Sequence, residues 1–204
     1  MRRTKEEAAR TREAIVEAAL ACFDRHGIAS TTLEQIAAQA KVTKGAVYHH
    51  FRGKHEILQA IRRQVSLPLL DRADCTLLDS TERPPLERVG RFLEGMMEAI
   101  DHPRTRRALT VMQFKCEYAD ELSHELADMR RNNDRLVAAL EQTYADARRR
   151  GDLAAGLEPR VAALDTTIFL AGLFRLALLD GSRDGVRKNA RGLIRQHLHS
   201  RAAR

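Results

Sequence analysis

The sequence predicts an all-α protein, on three observations. Apolar residues recur at helical spacing through most of the chain, strand-like alternation is absent, and turn formers are sparse, with 11 Gly and 5 Pro in 204 residues. Hydrophobic residues make up 44%, enough for a substantial core, although aromatics are only 4% and Trp is absent. The expected organisation is a three-helix unit over residues 1–53 followed by a larger helical region over 54–204.

Met1–Lys5 is a short basic arm with Arg2, Arg3 and Lys5, of the kind that reaches a phosphate or a minor groove; a frayed terminus is the alternative. Glu6–His26 is a long helix with the stripe Ile15, Ala18, Ala19, Cys22 and Phe23, ended by Gly27 as a C′ glycine. Thr31–Phe51 then reads as two short helices joined by a tight turn. Leu33, Ile36, Ala37 and Ala40 form the apolar face of the first, and Thr31 with Glu34 has the spacing of a capping box. Val42, Ala46, Val47, His50 and Phe51 form the inner face of the second, with Thr43 as its N-cap. The outer face is left with Thr43, Lys44, Gly45, Tyr48 and His49. Hydroxyls, a cation, a bare backbone, a phenol and an imidazole pack poorly but suit phosphates and base edges. This is the helix-turn-helix pattern, in which the second helix enters the major groove; periodicity alone also allows a plain helical hairpin. Thr31 and Thr32, opening the first helix, join the candidate DNA-binding set. Lys54, after the break at Gly53, completes it as a phosphate clamp at the start of the next helix.

That next helix runs from Lys54 to about Leu70 through Ile57, Leu58, Ile61 and Val65, with a kink expected at Pro68. Because it begins in the DNA-binding unit and ends outside it, it is the natural lever between two modules. Ser80–Pro85 is a linker by composition. Leu86–Ile100 and Thr105–Tyr118 are further helices. Glu121–Arg150 is the longest, with an apolar side through Leu126, Leu136, Leu140 and Tyr144. Arg160–Leu179 is apolar nearly all round from Thr166 onward, so it calls for burial on every side. A last amphipathic helix runs from Val186 to about His199. One chain of this size does not bury both terminal helices, so a two-fold four-helix interface between subunits is expected, through Leu173, Phe174, Leu193 and Ile194; a buried central helix in a monomer is the alternative.

The formal net charge of +7 is unevenly spread. Residues 1–66 carry 12 Lys/Arg and 7 Asp/Glu, whereas the remaining 138 carry 23 and 21. The excess sits where a polyanion would be met. Three cysteines, Cys22, Cys75 and Cys116, lie far apart, as expected of reduced thiols in the cytoplasm. No secretory signal opens the chain, and the 14-residue apolar stretch Thr166–Leu179 is short for a bilayer. His49, His50 and His55 cluster in sequence without carboxylate or Cys at ligand spacing, so no metal is expected. No nucleophile–base pair, phosphate loop or cofactor motif is present, and an enzyme is not expected. Met and Phe residues, among them Phe92 and Met96, line several helices of the second region, an adaptable surface for a ligand.

The stretch EAIVEAALACFDRHGIASTTLEQIAAQAKVTKGAVYHHFRGKHEIL, above all VTKGAVYHHF followed by a Lys three residues on, resembles the N-terminal domain of the TetR family of bacterial repressors. Lys41 departs from it, standing where the family very often has Gly. The segment RRALTVMQFKCEYADEL and the opening RRTKEEAARTR look like the efflux-regulator branch, the AcrR/TtgR-like proteins. The resemblance implies a homodimer on double-stranded operator DNA, repressing a multidrug efflux operon and released by a hydrophobic small-molecule inducer. A regulator of metabolic or stress genes with a different inducer is the alternative. It also implies that Ser66, Leu109, Gln113, Thr167, Leu170 and Ala171 line a cavity. Some relatives carry Asn, His and Asp where this chain has Leu109, Gln113 and Ala171, so the pocket implied here is more apolar, with Gln113 and Ser66 as its hydrogen-bonding residues.

Overall fold

The computed structural model describes residues 5–78, 83–116, 123–179 and 185–203, and the side chains of these except 66, 67, 70 and 123–125. The basic arm ahead of Lys5 and residues 80–82 of the Ser80–Pro85 linker lie outside the described residues. All described regular structure is helical apart from one isolated β-bridge, Leu153 with Ala202. The order is α1 Lys5–His26, α2 Leu33–Ala40, α3 Lys44–His50, α4 Lys54–Leu78, α5 Pro85–Asp101, α6 Pro103–Phe114, α7 Ser123–Arg150, α8 Pro159–Leu179 and α9 Val186–His199.

The chain forms two compact units. One holds Met1–Leu67 with Arg104–Leu126, the other Pro68–Pro103 with Ala127–Arg204. The packing boundary therefore differs from the 53/54 boundary drawn for function. The first half of α4 and all of α6 but Pro103 belong to the unit of α1–α3. The helix α4 continues past Pro68 to Leu78, eight residues beyond the expected end.

In the first unit α1 packs on α2 and α3, and Ile15, Val16, Ala19, Leu20 and Phe23 share a core with Ile36, Val47 and Phe51; these and Ile57 and Ile61 of α4 are all at most 2% exposed. Gly27 ends α1 at φ 79°, its N–H donating to Phe23 O (2.9 Å). The capping box of α2 is shifted one residue from the expected pair. Thr32 and Gln35 exchange hydrogen bonds (3.2 and 2.8 Å), while Thr31 is buried and its hydroxyl donates to Gly27 O at 2.6 Å. Lys41 ends α2 in the left-handed region (φ 57°, ψ 39°), accepting a strain of about 1 kcal/mol that glycine avoids. The helix α6 is tied to α1 by charge. Arg104 pairs with Glu13 and Glu17 and donates to Gln64 Oε1, and Arg107 and Lys115 reach Asp24 (3.4 and 3.2 Å).

In the second unit α5 packs against α8 and α9 through Val89, Phe92, Leu93 and Ile100. At Gly90 a Cβ would lie 2.9 Å from Leu198 Cδ1, so a side chain there would displace the tip of Leu198 where α5 meets α9. Arg88 is buried. Its guanidinium donates to Leu77 O (2.7 Å) and Asp146 (3.0 Å), and the Thr143 hydroxyl donates to the same carbonyl (3.0 Å). The last turn of α4 is thus held by α5 and α7. A polar chain crosses the unit: the Tyr144 and Thr166 hydroxyls lie 2.7 Å apart, Thr166 Oγ1 is 3.0 Å from His197 Nε2, and the His197 ring stacks on Phe169 at 3.9 Å.

Burial, reinforced by Arg201, lowers the His197 pKa to about 4 from an ordinary 6.5. The folded state therefore resists a proton that the unfolded chain accepts. Stability is full above pH 6.5 and lost as pH falls towards 4. Urea unfolding followed across that window should show a loss on the order of 2 kcal/mol assignable to this residue, and His197→Gln should flatten that part of the profile.

Candidate nucleic-acid interface

The helix α3 has seven residues and α2 eight. Helices this short do not persist alone, so the core that buries Val47 and Phe51 sets how α3 presents its other side. Thr43 caps α3, its Oγ1 accepting from Ala46 N–H (3.2 Å), and the Val42 N–H returns to Ala37 O (3.0 Å) to close the turn. With Val47 inward, Thr43, Lys44, Gly45, Tyr48 and His49 are all exposed, Tyr48 to 51%. The Lys44 ammonium lies 5.8 Å from the centre of the Tyr48 ring, one turn away. Thr32, at the start of α2, is also exposed. A built Cβ on Gly45 would meet nothing closer than Thr43 Oγ1 at 3.9 Å, so this chain's own packing does not demand glycine there.

Two members of the expected DNA-facing set are corrected. Thr31 is 1% exposed and serves the α1–α2 loop. The Lys54 ammonium turns inward and donates to Ile28 O (2.7 Å) and Ala29 O (2.9 Å), because those two loop carbonyls end near the first turn of α4 and have no helical partner. Two contacts have no counterpart in the sequence reading. Lys44 forms an ion pair with Glu34 of α2, which lowers the Glu34 pKa and raises that of Lys44. The Arg12 guanidinium lies 4.8 Å from the Phe51 ring centre. Neither has a sequence signal, since each joins residues on different elements. Of the histidines, His49 and His50 meet edge to face (5.2 Å), and among the described residues no group of three His, Cys, Asp or Glu is placed to hold a metal.

The residues expected around a ligand divide between the units. Leu109 (half-buried) and Gln113 (exposed) lie on α6 in the first; the Ser66 side chain lies outside the described ones. Phe92 and Leu170 are buried in the second, with Met96 and Thr167 half-buried and Ala171 exposed. Thr167 donates to Ala163 O of its own helix at 2.9 Å.

The expected subunit interface also needs correction. Leu173 and Ile194 are 4% and 1% exposed and belong to the core of a single chain. Phe174 is half-buried and Leu193 exposed. The outward face of α8 is instead Val161, Leu164, Ile168, Leu176 and Leu179, with Ile168 at 70% and Leu176 at 53%. At 21 residues α8 is also long and apolar enough to span a membrane by length and composition, contrary to the expectation from its 14-residue apolar run, because it begins seven residues earlier, at Pro159. One side of it is packed on α5 and α9, and Asp165 is paired with Arg201.

The profile for bacterial regulatory proteins of the tetR family matches residues 15–61, and that for the C-terminal region of MAATS-type transcriptional repressors matches 84–201. The HTH-type transcriptional regulator TtgR of Pseudomonas putida is 34% identical over 187 residues, which is 88% of this chain and 85% of TtgR. Among solved structures, NalD, the secondary repressor of the MexAB-OprM multidrug efflux pump in Pseudomonas aeruginosa, superposes with a TM-score of 0.84 at 30% identity, covering 97% of this chain and 98% of NalD. SmeT, repressor of the Stenotrophomonas maltophilia multidrug efflux pump SmeDEF, superposes in its triclosan complex with a TM-score of 0.79 at 27% identity, covering 94% and 91%.

The Lys54 geometry makes a separable statement about stability. Lys54→Met should leave Ala29 O without its side-chain donor and Ile28 O with the Thr31 N–H alone, and lower unfolding free energy by about 1 kcal/mol, read by denaturant titration. Lys44→Ala, at an exposed pair, should stay within about 0.5 kcal/mol of the parent.

Proposed function

The chain belongs to the TetR family of bacterial transcriptional regulators, and from that premise we propose that it is a homodimeric repressor of a multidrug efflux operon, released from its operator by a hydrophobic small molecule. The observation that carries the DNA-binding part is the outward face of α3. There a half-exposed Tyr48, an exposed Lys44 and a glycine not needed by the fold stand together on a helix too short to persist unless packed. Thr43, Gly45 and Tyr48 are assigned to base edges, and Thr32, Lys44 and His49 to phosphates. The efflux assignment rests on the pump repressors NalD and SmeT, and the inducer class on the triclosan complex of SmeT. Phe92, Met96, Leu109, Thr167 and Leu170, with Gln113 and Ser66 as polar members, are assigned to the ligand. DNA as partner places the protein in the cytoplasm, with no membrane role for α8, whose face also carries Arg160, Asp165 and Arg175.

A dimer through the apolar face of α8 and through α9 would set two reading helices about 34–36 Å apart, one turn of B-DNA. A ligand that prefers a subunit shape with other spacing shifts the balance only by its differential affinity for the two shapes. Retardation of the promoter fragment of an adjacent pump operon, and its reversal by a panel of hydrophobic compounds, tests the whole reading. Binding to that fragment no tighter than to random duplex would overturn it.

Two variants check its parts. Tyr48→Ala should lose about 1–3 kcal/mol of operator affinity with an unchanged melting temperature. A collapse of thermal stability would instead make Tyr48 a packing residue. Ile168→Glu should sediment as a folded monomer, because it charges the most exposed apolar position of α8 without entering the protomer core. A dimeric Ile168→Glu protein would place the interface elsewhere.

A further inference from the structure

Arg12 lies on α1, outside the helix-turn-helix, yet its guanidinium sits over the Phe51 ring, 4.8 Å from its centre, where α3 ends. Phe51 is itself fixed. It is 2% exposed, and its N–H donates to Val47 O (2.9 Å) as the C-cap of α3. Arg12 is exposed. The positions three and four residues from it on α1, where an acid would form a helical ion pair, are Ala8, Ala9, Ile15 and Val16. Glu13, the next residue, is engaged by Arg104 and Gln64. Among the described residues Arg12 makes no ion pair.

The cations around it are placed differently. Arg10 pairs with Glu6, Arg52 with Glu56 and Lys44 with Glu34, and the Lys54 ammonium is taken by two carbonyls. Each of these must give up a partner before it meets a phosphate, and Arg12 need not. An aromatic ring holds a guanidinium without a neutralising charge. The full positive charge and most of the N–H donors then remain for an oxyanion, which a guanidinium binds through two parallel hydrogen bonds.

The charge also stands in a useful place. Lys44 begins α3 and Arg12 lies by its last turn, so cations mark both ends of a helix about 10 Å long. Phosphate contacts fix the orientation of a protein on the duplex, and two of them at opposite ends restrain the tilt of α3 where one does not. We propose that Arg12 binds a DNA phosphate beside the C-terminal end of α3, and that Phe51 positions it to do so. This rests on the DNA-binding reading above. It adds a phosphate contact made from α1 to those made from the helix-turn-helix.

One cation that neutralises a phosphate contributes about 0.9 to the slope of log affinity against log salt, roughly fivefold in affinity per subunit near 0.15 M salt. A phosphate carries no sequence information, so its loss should weaken every duplex alike.

The test uses the whole chain with two probes: a duplex selected by the parent protein from a randomised library, and a scrambled duplex of equal length. Affinities are measured between about 50 and 200 mM KCl, with thermal melts of every variant. Arg12→Met keeps an apolar cover over Phe51 but removes the charge. It should bind both probes roughly fivefold more weakly per subunit, with a slope shallower by about 0.9 per subunit and an unchanged melting temperature. Arg12→Lys should restore the slope. Phe51→Leu, which removes the ring but fills the core, should weaken both probes about twofold and have no further effect in the Arg12→Met background. Retained affinity and slope in Arg12→Met would overturn the proposal. So would a loss confined to the selected duplex, which would make Arg12 a reader of a base. A weaker Arg12→Met with an unchanged slope and a lower melting temperature would make Arg12 a packing residue only. An effect of Phe51→Leu that persists without Arg12 would remove the positioning role. A parent protein that binds the selected duplex no tighter than the scrambled one overturns the DNA-binding reading itself, and the proposal with it.

Discussion

The apolar face of α1 is the constraint on which the nucleic-acid surface depends. Helices of seven and eight residues lack the length to offset the cost of nucleation in water. They exist because Ile36, Val47 and Phe51 are buried against Ile15, Leu20 and Phe23. Successive residues of a helix point about 100° apart, so fixing Val47 inward turns Tyr48 outward. Burial thus fixes the presentation of the polar residues. The Lys54 ammonium adds to this by gathering the Ile28 and Ala29 carbonyls, which fixes the loop from which α2 starts. The strain at Lys41 is small beside the burial energy of one of these side chains, which explains how the turn tolerates a residue other than glycine.

The helix α6 follows α5 by a single residue yet packs with the N-terminal helices, and its attachment to α1 is largely electrostatic. Each exposed ion pair is worth little alone, but Arg104 meets two carboxylates and an amide oxygen, and Asp24 receives two cations. Leu109 and Gln113, assigned to the inducer by family resemblance, are on this helix. A molecule touching them therefore touches the unit that carries the reading helix. Arg88 plays the corresponding part in the other unit. A buried guanidinium with a carboxylate partner is costly to disrupt, and here it holds the final carbonyls of α4.

Much of this was legible in the chain itself. The period of apolar residues placed α1, α5, α7 and α9 within a few residues of their ends, because each has one polar side to set the phase. The composition of α3 exposed its outward face for the same reason. The helix α8 has no polar side, so periodicity carries no phase, and Leu173 was assigned to the surface that Ile168 occupies. Thr31 and Thr32 are adjacent hydroxyls, and only backbone geometry shows which of them caps α2. The pairing of Glu34 with Lys44 and the inward turn of Lys54 join residues on separate elements, where sequence spacing carries no information. The continuation of α4 through Pro68 is a tertiary effect: the residues after it, Ala73 and Leu77, are buried in the second unit and hold the helix together there.

Each unit leaves one kind of surface unanswered within a single chain. In the first it is polar and basic, in the second apolar and in line along α8. An apolar face at helical spacing in a chain that is 31% charged is answered economically by its own copy. That answer has a consequence for the first surface. A single seven-residue helix offers few base contacts, but two held by one interface bind as a linked pair, and the second docks at the effective concentration set by the first. Affinity then depends on the separation of the two helices more steeply than on any one contact. In the proposed dimer, a change in subunit shape too small to disturb Tyr48 or Thr43 would suffice to abolish tight binding. On the dimer proposed through α8, its apolar face, remote in chemistry from DNA, would belong to the same mechanism as the polar face of α3.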